Sequence, residues 1–291
     1  MFSQRIRNND NVTAFFFLTP SVGGFLTFFL LPFILGIYYS LISSPVNGQF
    51  VGLSNYSALL RNPVFLKAAL NTLVFMAVCV PANLIISLAV AMLLRKDIFY
   101  RNFMRTAFIL PLVVPVASVV LLWQILFDIN GFVNGILSCM GSSTTDWMNT
   151  GWARAIVICV YLWKNVGYNM IVFMAGLENI PVQYYECADV EGAGSWYKFT
   201  RITLFYLSPT TFFIFIMSII NSFKIFKEIY MIAGEYPHDS IYTMQHYMNN
   251  MFLSLDYQKL TSAAFILAVL IFILVWLLFR MERRISEAIR T

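Results

Sequence analysis

"YYECADVEGAGSWYKF", Tyr184–Phe199, places Glu186, Asp189, Glu191 and Lys198 around two glycines, Gly192 and Gly194, between two of the most apolar stretches of the chain. Pro181, just upstream, suits the first turn of a helix, because its missing N–H and fixed φ cost nothing there. Residues 182–191 contain no breaker and predict two to three turns of helix. Gly192 and Gly194 then allow a stop and a change of direction, and a second short helix starts near Ser195. Tyr184, Cys187, Ala188 and Glu191 fall at i, i+3, i+4 and i+7, so aromatic and small groups share one face on which another surface could dock closely. A merely solvated connection is the competing reading, but it has no need of two ordered helices.

The flanking sequence makes this insert polar by contrast. Of 291 residues, 59% are hydrophobic and 11% charged, with a mean hydropathy of +0.73, outside the usual mix of a water-soluble domain. A spanning helix needs about 20 mostly apolar residues. Six segments qualify, at about 14–39, 70–94, 106–127 (with Pro111 and Pro115 inside), 154–177, 202–221 and 262–279, the fifth fading slowly towards Tyr230. The first run is too long for a signal-peptide core and no A-x-A-like site follows, so it reads as a retained span. The expected architecture is a single all-α transmembrane domain over residues 1–291 with a cytoplasmic connection at 178–201.

Lysine and arginine set the orientation. Arg5, Arg7, Arg95, Lys96, Arg101, Arg105, Lys198, Arg201, Arg280, Arg283, Arg284 and Arg290 lie on the side of the termini and of the 178–201 connection. Arg61, Lys67, Arg154, Lys224, Lys227 and Lys259 lie on the other, 12 against 6. Both termini are therefore expected in the cytoplasm. The net charge of +5 follows from this bias and from anionic lipid, so it is no nucleic-acid footprint. Cys79, Cys139, Cys159 and Cys187 are too scattered for metal ligation and read as small packing residues. His238 and His246 share a predicted external loop, where an exposed polar role is expected.

No phosphate cradle of the form G-x-x-x-x-G-K-[ST], no H-E-x-x-H and no G-x-S-x-G occurs, so intrinsic chemistry is not expected and energy must come from elsewhere. The chain also shows no strong internal duplication and no acidic residue well inside the six segments, which counts against a self-sufficient carrier.

The run Glu186, Cys187, Ala188, then Glu191, Gly192, Ala193, then Phe199, Ile202, Leu204 and Pro209 resembles the EAA loop of ABC importer permeases, E-A-A-x-x-D-G-A followed by F-x-x-I-x-L-P. Cys187 stands for the middle alanine, Glu191 for aspartate and Phe205 for the usual proline. "FVGLSNYSALLRNPVFLKAALNTLVF" (50–75), "RTAFILPLVVPVASVVLLWQILFDINGFVN" (105–134) and "NSFKIFKEIYMIAGEYP" (221–237) are similar to permeases of the maltose and glycerol-3-phosphate type, with the family's T-G-G-P end changed to Ala233, Gly234, Glu235, Tyr236 and Pro237. The resemblance implies a type I ABC importer transmembrane domain with no cofactor of its own. It implies a sister permease, two cytoplasmic ATPase subunits that bind ATP and magnesium, and an extracellular solute-binding protein. It also implies a coupling role for Glu186, Cys187, Ala188, Glu191, Gly192 and Ala193.

A sugar path needs amides and aromatic faces. The fourth segment offers Tyr161, Trp163, Lys164, Asn165, Tyr168 and Asn169, with positions 161, 164, 165 and 168 in one stripe; the fifth offers Ser218, Asn221 and Ser222, and Trp123 and Gln124 could contribute. The resemblance places substrate contacts in the segments either side of the EAA loop. Helix-to-helix hydrogen bonding competes: it weighs equally with sugar contact at Asn165 and Asn221, and the balance tips to packing at Tyr161 and Tyr168. Lys164, the one cation well inside a segment, should face a water-filled cavity or a partner, and contact with an oxygen-rich or acidic sugar is the hypothesis. The alternatives are a secondary carrier or channel, and a permease for a non-sugar solute.

Overall fold

The computed structural model describes residues 2–95 and 99–290, and side chains within 13–95 and 99–280. Arg5, Arg7, Lys96, Arg283, Arg284 and Arg290, which enter the charge count above, lie outside the described side chains. The described residues are almost all helical and contain no strand; a lone antiparallel bridge joins Ile42 and Phe50. The helices are α1 (Thr13–Ser40), α2 (Ser54–Leu60), α3 (Pro63–Arg95), α4 (Arg101–Val113), α5 (Val116–Phe127), α6 (Phe132–Cys139) and α7 (Ala153–Glu178). There follow α8 (Val182–Val190), α9 (Ser195–Tyr206), α10 (Ser208–Lys224), α11 (Phe226–Ala233), α12 (Met244–Leu253) and α13 (Tyr257–Arg290). Among the described residues, five helical stretches are long and apolar enough to cross a membrane, or six if the bent pair Ser195–Tyr206 and Ser208–Ala233 forms one span. This is an all-α membrane protein: in hydrocarbon every backbone group must find its partner inside the protein, and these helices do so within each segment.

Two compact units are distinguishable, one running to Asn62 with Asn250–Val269, the other comprising Pro63–Asn249 and the chain from Leu270. In the first, Gly36 faces Phe265 and Thr261, and the Phe33 and Phe265 rings meet edge to face at 5.4 Å. Ser40 is buried, taking the Tyr56 hydroxyl at 2.8 Å, while Asn55 Nδ2 donates to the Ser40 and Ile42 carbonyls at 2.9 Å. The rest of α1 is exposed, including Phe17 at 81%, an apolar surface suited to lipid or to another apolar helix.

The second unit is built around α7, which packs on α3, α4 and α10. Gly167 makes the approach to α4 possible: a Cβ there would collide with the Phe108 carbonyl oxygen, the small-residue contact by which membrane helices draw together. On its other side α7 buries Val157 and Tyr161 against Phe75, Cys79 and Ile229.

Two segments differ from the sequence reading. The stretch 106–127 is two helices, because Val114, which precedes Pro115, is extended at φ −69°, ψ 133°; the proline ring disfavours a helical conformation at the residue before it. The fifth segment runs further than Asn221: after Pro209 in the first turn, helix continues with one break at Ile225 to Ala233, where Gly234 at φ 76° ends it. Glu228 therefore lies in a buried helix and is only 4% exposed, which corrects the expectation that no acidic residue enters an apolar segment.

The expectation for His246 is corrected too: it is fully buried, its Nδ1 2.9 Å from Thr243 Oγ1 and its ring 4.7 Å from that of Phe226. Nearby, Asn71 Nδ2 donates to the carbonyls of Asp239 (2.6 Å) and Tyr242 (3.0 Å), and Arg154 Nη2 donates to Asn71 Oδ1 at 2.8 Å. Arg154 Nε donates to the Ser240 carbonyl at 3.0 Å, and Lys67 pairs with Asp239, holding that carboxyl below the usual carboxylate range. The connection 234–243 is thus fastened to the ends of α3 and α7 by their polar side chains. Of the cysteines, Cys79 is buried while Cys139, Cys159 and Cys187 are exposed, so packing within this chain explains the first alone.

Two outcomes are expected. Gly167→Leu forces α4 away from α7 and lowers the melting temperature of the purified protein in detergent, by overpacking of about 1–3 kcal/mol. Burial pushes the His246 pKa from 6.5 down to about 4; the neutral form is the folded one, so its stabilisation is complete above pH 6.5 and is lost as pH falls towards 4. Melting should fall below pH 6.5 by about 1.4 kcal/mol per pH unit, and His246→Gln should flatten that slope.

Candidate functional site

The polar residues of α7 and α10 separate into two groups. The first is sealed between helices. Asn169 Nδ2 donates to Ser218 Oγ at 3.0 Å, Asn83 Nδ2 lies 3.5 Å from the same oxygen, and the Tyr161 hydroxyl donates to the Ser218 carbonyl at 2.9 Å. Ser87 Oγ donates to the Val166 carbonyl at 3.2 Å. Asn83, Ser87, Asn169 and Ser218 are all buried, and Tyr161 has no exposed surface. One serine thus gathers α3, α7 and α10 at a point where an unpaired amide in hydrocarbon would be costly. Ser222 is also buried, its hydroxyl donating to the Ile219 carbonyl at 2.7 Å. Tyr168 is half-buried.

The second group lines a cleft of about 270 Å³ bounded by Leu112, Lys164, Asn165, Asn221, Lys224, Ile225 and Glu228, with the buried Tyr161 behind its wall. Lys164, Asn165 and Asn221 are brought together here, while Ser218 and Ser222 do not line it. Asn165 Nδ2 donates to the Tyr161 carbonyl one turn back at 2.8 Å, which fixes the side chain on the helix. Lys164 is not an isolated cation: it forms a hydrogen-bonded ion pair with Glu228 of α11, the two side chains 18% and 5% exposed. The pair ties α7 to α11, and removing either member would strand a buried charge at about 3–5 kcal/mol. Glu228 escaped the sequence reading because Lys224, Lys227 and Glu228 interrupt the apolar run; the i, i+4 spacing of Lys224 and Glu228 beyond Asn221 was the available signal.

Trp123 and Gln124 lie elsewhere. The Trp123 ring stacks on Phe127 at 5.6 Å and meets Trp163 edge on at 5.9 Å, and Gln124 Nε2 donates to the Met231 carbonyl at 3.3 Å. Gln124 borders a separate cavity of about 500 Å³ that also carries Asp128 and Asp146.

The insert of the opening stretch forms α8 and α9. Pro181 is the residue before α8, extended at ψ 132°. At the other end the N–H of Ala193 reaches the Ala188 carbonyl at 2.8 Å and the N–H of Gly192 the Asp189 carbonyl at 3.0 Å, closing the helix over Gly192 at φ 76°. This is the C-terminal stop that glycine makes cheap. Gly194, at φ −68°, needs no such freedom. The helix has two faces, and they divide the expected docking stripe. Ala188 is buried, the Tyr185 hydroxyl lies 2.9 Å from Thr203 Oγ1, and Arg95 of α3 stands 5.3 Å over the Tyr185 ring. Lys198 pairs with Asp189. Gln183, Glu186, Cys187 and Val190 point the other way, Val190 being 90% exposed, and Tyr184, Trp196 and Tyr197 add exposed aromatic surface. Ala188 therefore seats the helix on its own chain, while Glu186, Cys187 and Glu191 remain outside.

Sequence and fold comparisons place this architecture. Residues 51–287 match the family described as binding-protein-dependent transport system inner membrane component, and the chain belongs to that family. It is 33% identical over 235 residues, 77% of this chain and 73% of the other, to the arabinooligosaccharides transport system permease protein AraP of Bacillus subtilis (strain 168). It is 30% identical to the lactose transport system permease protein LacF of Rhizobium radiobacter, covering 83% of each chain. It is likewise 30% identical to the sn-glycerol-3-phosphate transport system permease protein UgpA of Yersinia pestis, covering 88% of this chain and 89% of the other. In fold it matches a chain of a bacterial ABC transporter involved in the import of the acidic polysaccharide alginate, with a TM-score of 0.83, 24% identity and coverage of 98% and 99%.

The division between sealed and cleft-lining residues is testable. Tyr161→Phe and Ser218→Ala should each lower melting in detergent, by about 0.5–1.5 kcal/mol, and leave the KM of transport unchanged. Asn221→Ala should raise KM with little effect on melting.

Proposed function

We propose that the chain is the permease subunit of an ATP-driven importer that carries a sugar or oligosaccharide across the cytoplasmic membrane. The relatives named for arabinooligosaccharide and lactose transport support the substrate class, and a cleft lined by amides and charged groups suits hydroxyl-rich solutes. The observation that carries the reading is the exposed stripe of α8. A short helix seated on its own chain through Ala188 and Tyr185, yet presenting Gln183, Glu186, Cys187 and Val190 outward, is built to meet another protein.

That partner is a cytoplasmic ATPase subunit. Two such subunits bind ATP and magnesium, a sister permease completes the membrane path, and an extracellular binding protein delivers the sugar. The six apolar stretches are six spans of one permease domain, with both termini and α8 in the cytoplasm. ATP binding draws the ATPases together; α8, joined to α7 through residues 179–181 and to α9 by the Lys198–Asp189 pair, transmits the movement. The bend of 66° between α9 and the stretch Ser208–Ala233 is where a change of angle opens the cleft to one side or the other, which is alternating access between two packed states.

Purified with its sister chain, ATPase and binding protein in proteoliposomes, the protein should accumulate a saccharide only when ATP is enclosed with the ATPase. Uptake by the permease chains alone would establish a self-sufficient carrier instead. Glu186→Lys and Gly192→Val should leave the chain inserted in the membrane and lower ATPase retention or uptake at least tenfold; normal uptake in both would remove α8 from the coupling.

A further inference from the structure

We infer that the Lys164–Glu228 pair is a substrate subsite that reads neighbouring hydroxyls of an uncharged sugar unit. The inference rests on the sugar-import reading and specifies its substrate class. Glu228 Oε1 is engaged by Lys164, while Oε2 is buried with no partner in the described structure. Glu228 lines the cleft, and the last torsion of a carboxylate is broad, so a partial turn brings Oε2 towards the cleft while Oε1 stays near Lys164. A buried carboxylate oxygen without a donor is costly, and a sugar hydroxyl supplies the O–H it lacks. Lys164 Nζ has further N–H groups, and donates to the oxygen of the adjacent hydroxyl. The pair therefore offers one strong acceptor beside one strong donor, the arrangement that matches two adjacent hydroxyls of a sugar ring.

At the pair itself the two charges cancel, so this subsite gives an acidic unit no advantage over a neutral one. The carboxylate neutralises Lys164, so a uronate entering the cleft meets a cation already engaged and an anion that repels it. Lys224, also on the cleft wall, is the other cation present, and it is exposed. Asn165 and Asn221 on the same wall supply neutral amides for further hydroxyls. A purely architectural pair, pinning α11 to α7, would need the ion pair but would be indifferent to which helix bears which sign.

The complete transporter in proteoliposomes tests this with two probe sets, neutral lactose and arabinotriose, and an alginate oligosaccharide as the oligouronate. The wild type should take up a neutral probe in preference to the oligouronate. Glu228→Gln keeps the shape of the side chain and should raise KM for that neutral probe at least tenfold, narrowing the preference over the oligouronate; rates are taken per assembled complex, because the stranded Lys164 charge lowers the yield. The exchanged pair Lys164→Glu with Glu228→Lys restores the bridge between helices but reverses the groups presented, and should stay impaired in KM. Wild-type KM in Glu228→Gln, full rescue by the exchanged pair, or preferential uptake of the oligouronate by the wild type would each overturn the subsite. Failure of the wild type to take up any saccharide would instead overturn the sugar-import reading on which it rests.

Discussion

The hydroxyl and carbonyl of Ser218 hold the second unit together, because they are where α3, α7 and α10 satisfy one another's polar groups away from water. Asn83, Asn169 and Tyr161 all converge on that residue. In a bilayer the apolar faces of helices gain little by leaving lipid, so close packing and such bonds decide which helices touch. Gly167 does the same work sterically, letting α4 come against α7. With α7 fixed on three sides, the residues one turn away, Lys164 and Asn165, have a defined direction. Both line the cleft, and Lys164 also reaches Glu228 of α11 across it.

The same helix links the two ends of the proposed mechanism. α7 carries the cleft along its middle and runs to Glu178, three residues short of Pro181 and α8. Exposed contacts of Glu178 with Arg101 (3.7 Å) and Arg105 (3.4 Å) contribute little by themselves. The firmer ties are the buried Ala188, the Tyr185–Thr203 hydrogen bond and the Arg95 guanidinium over Tyr185. A force on the outer face of α8 would thus reach α3 and α9 as well as α7. That three-way seating is why a helix of nine residues could act as a lever on the membrane part.

Much of this was legible in the residues. Apolar length identified an all-α membrane protein, and Pro181 and Gly192 bracket α8 in both sequence and structure, since each acts through its own backbone. What local pattern does not contain is the neighbour behind a face. The stripe of Tyr184, Cys187, Ala188 and Glu191 is a true helical repeat, yet Ala188 turns inward because Tyr185 and Thr203 set the seat. Tyr161 shares one stripe with Lys164, with the balance there tipped to packing, and the Ser218 carbonyl holds it in the core. Glu228 and His246 were misjudged for one shared reason: polar residues read as exposed until the structure supplies Lys164 for one and Thr243 for the other.

The proposed contact between the outer face of α8 and an ATPase is the central claim, and Cys187 gives direct access to it. With Cys139 and Cys159 replaced by serine, a photoactivatable maleimide on Cys187 in the assembled transporter should capture the ATPase subunit upon illumination, with a yield that changes when ATP is added. Capture of the sister permease or lipid alone, with the ATPase present and active, would contradict the account.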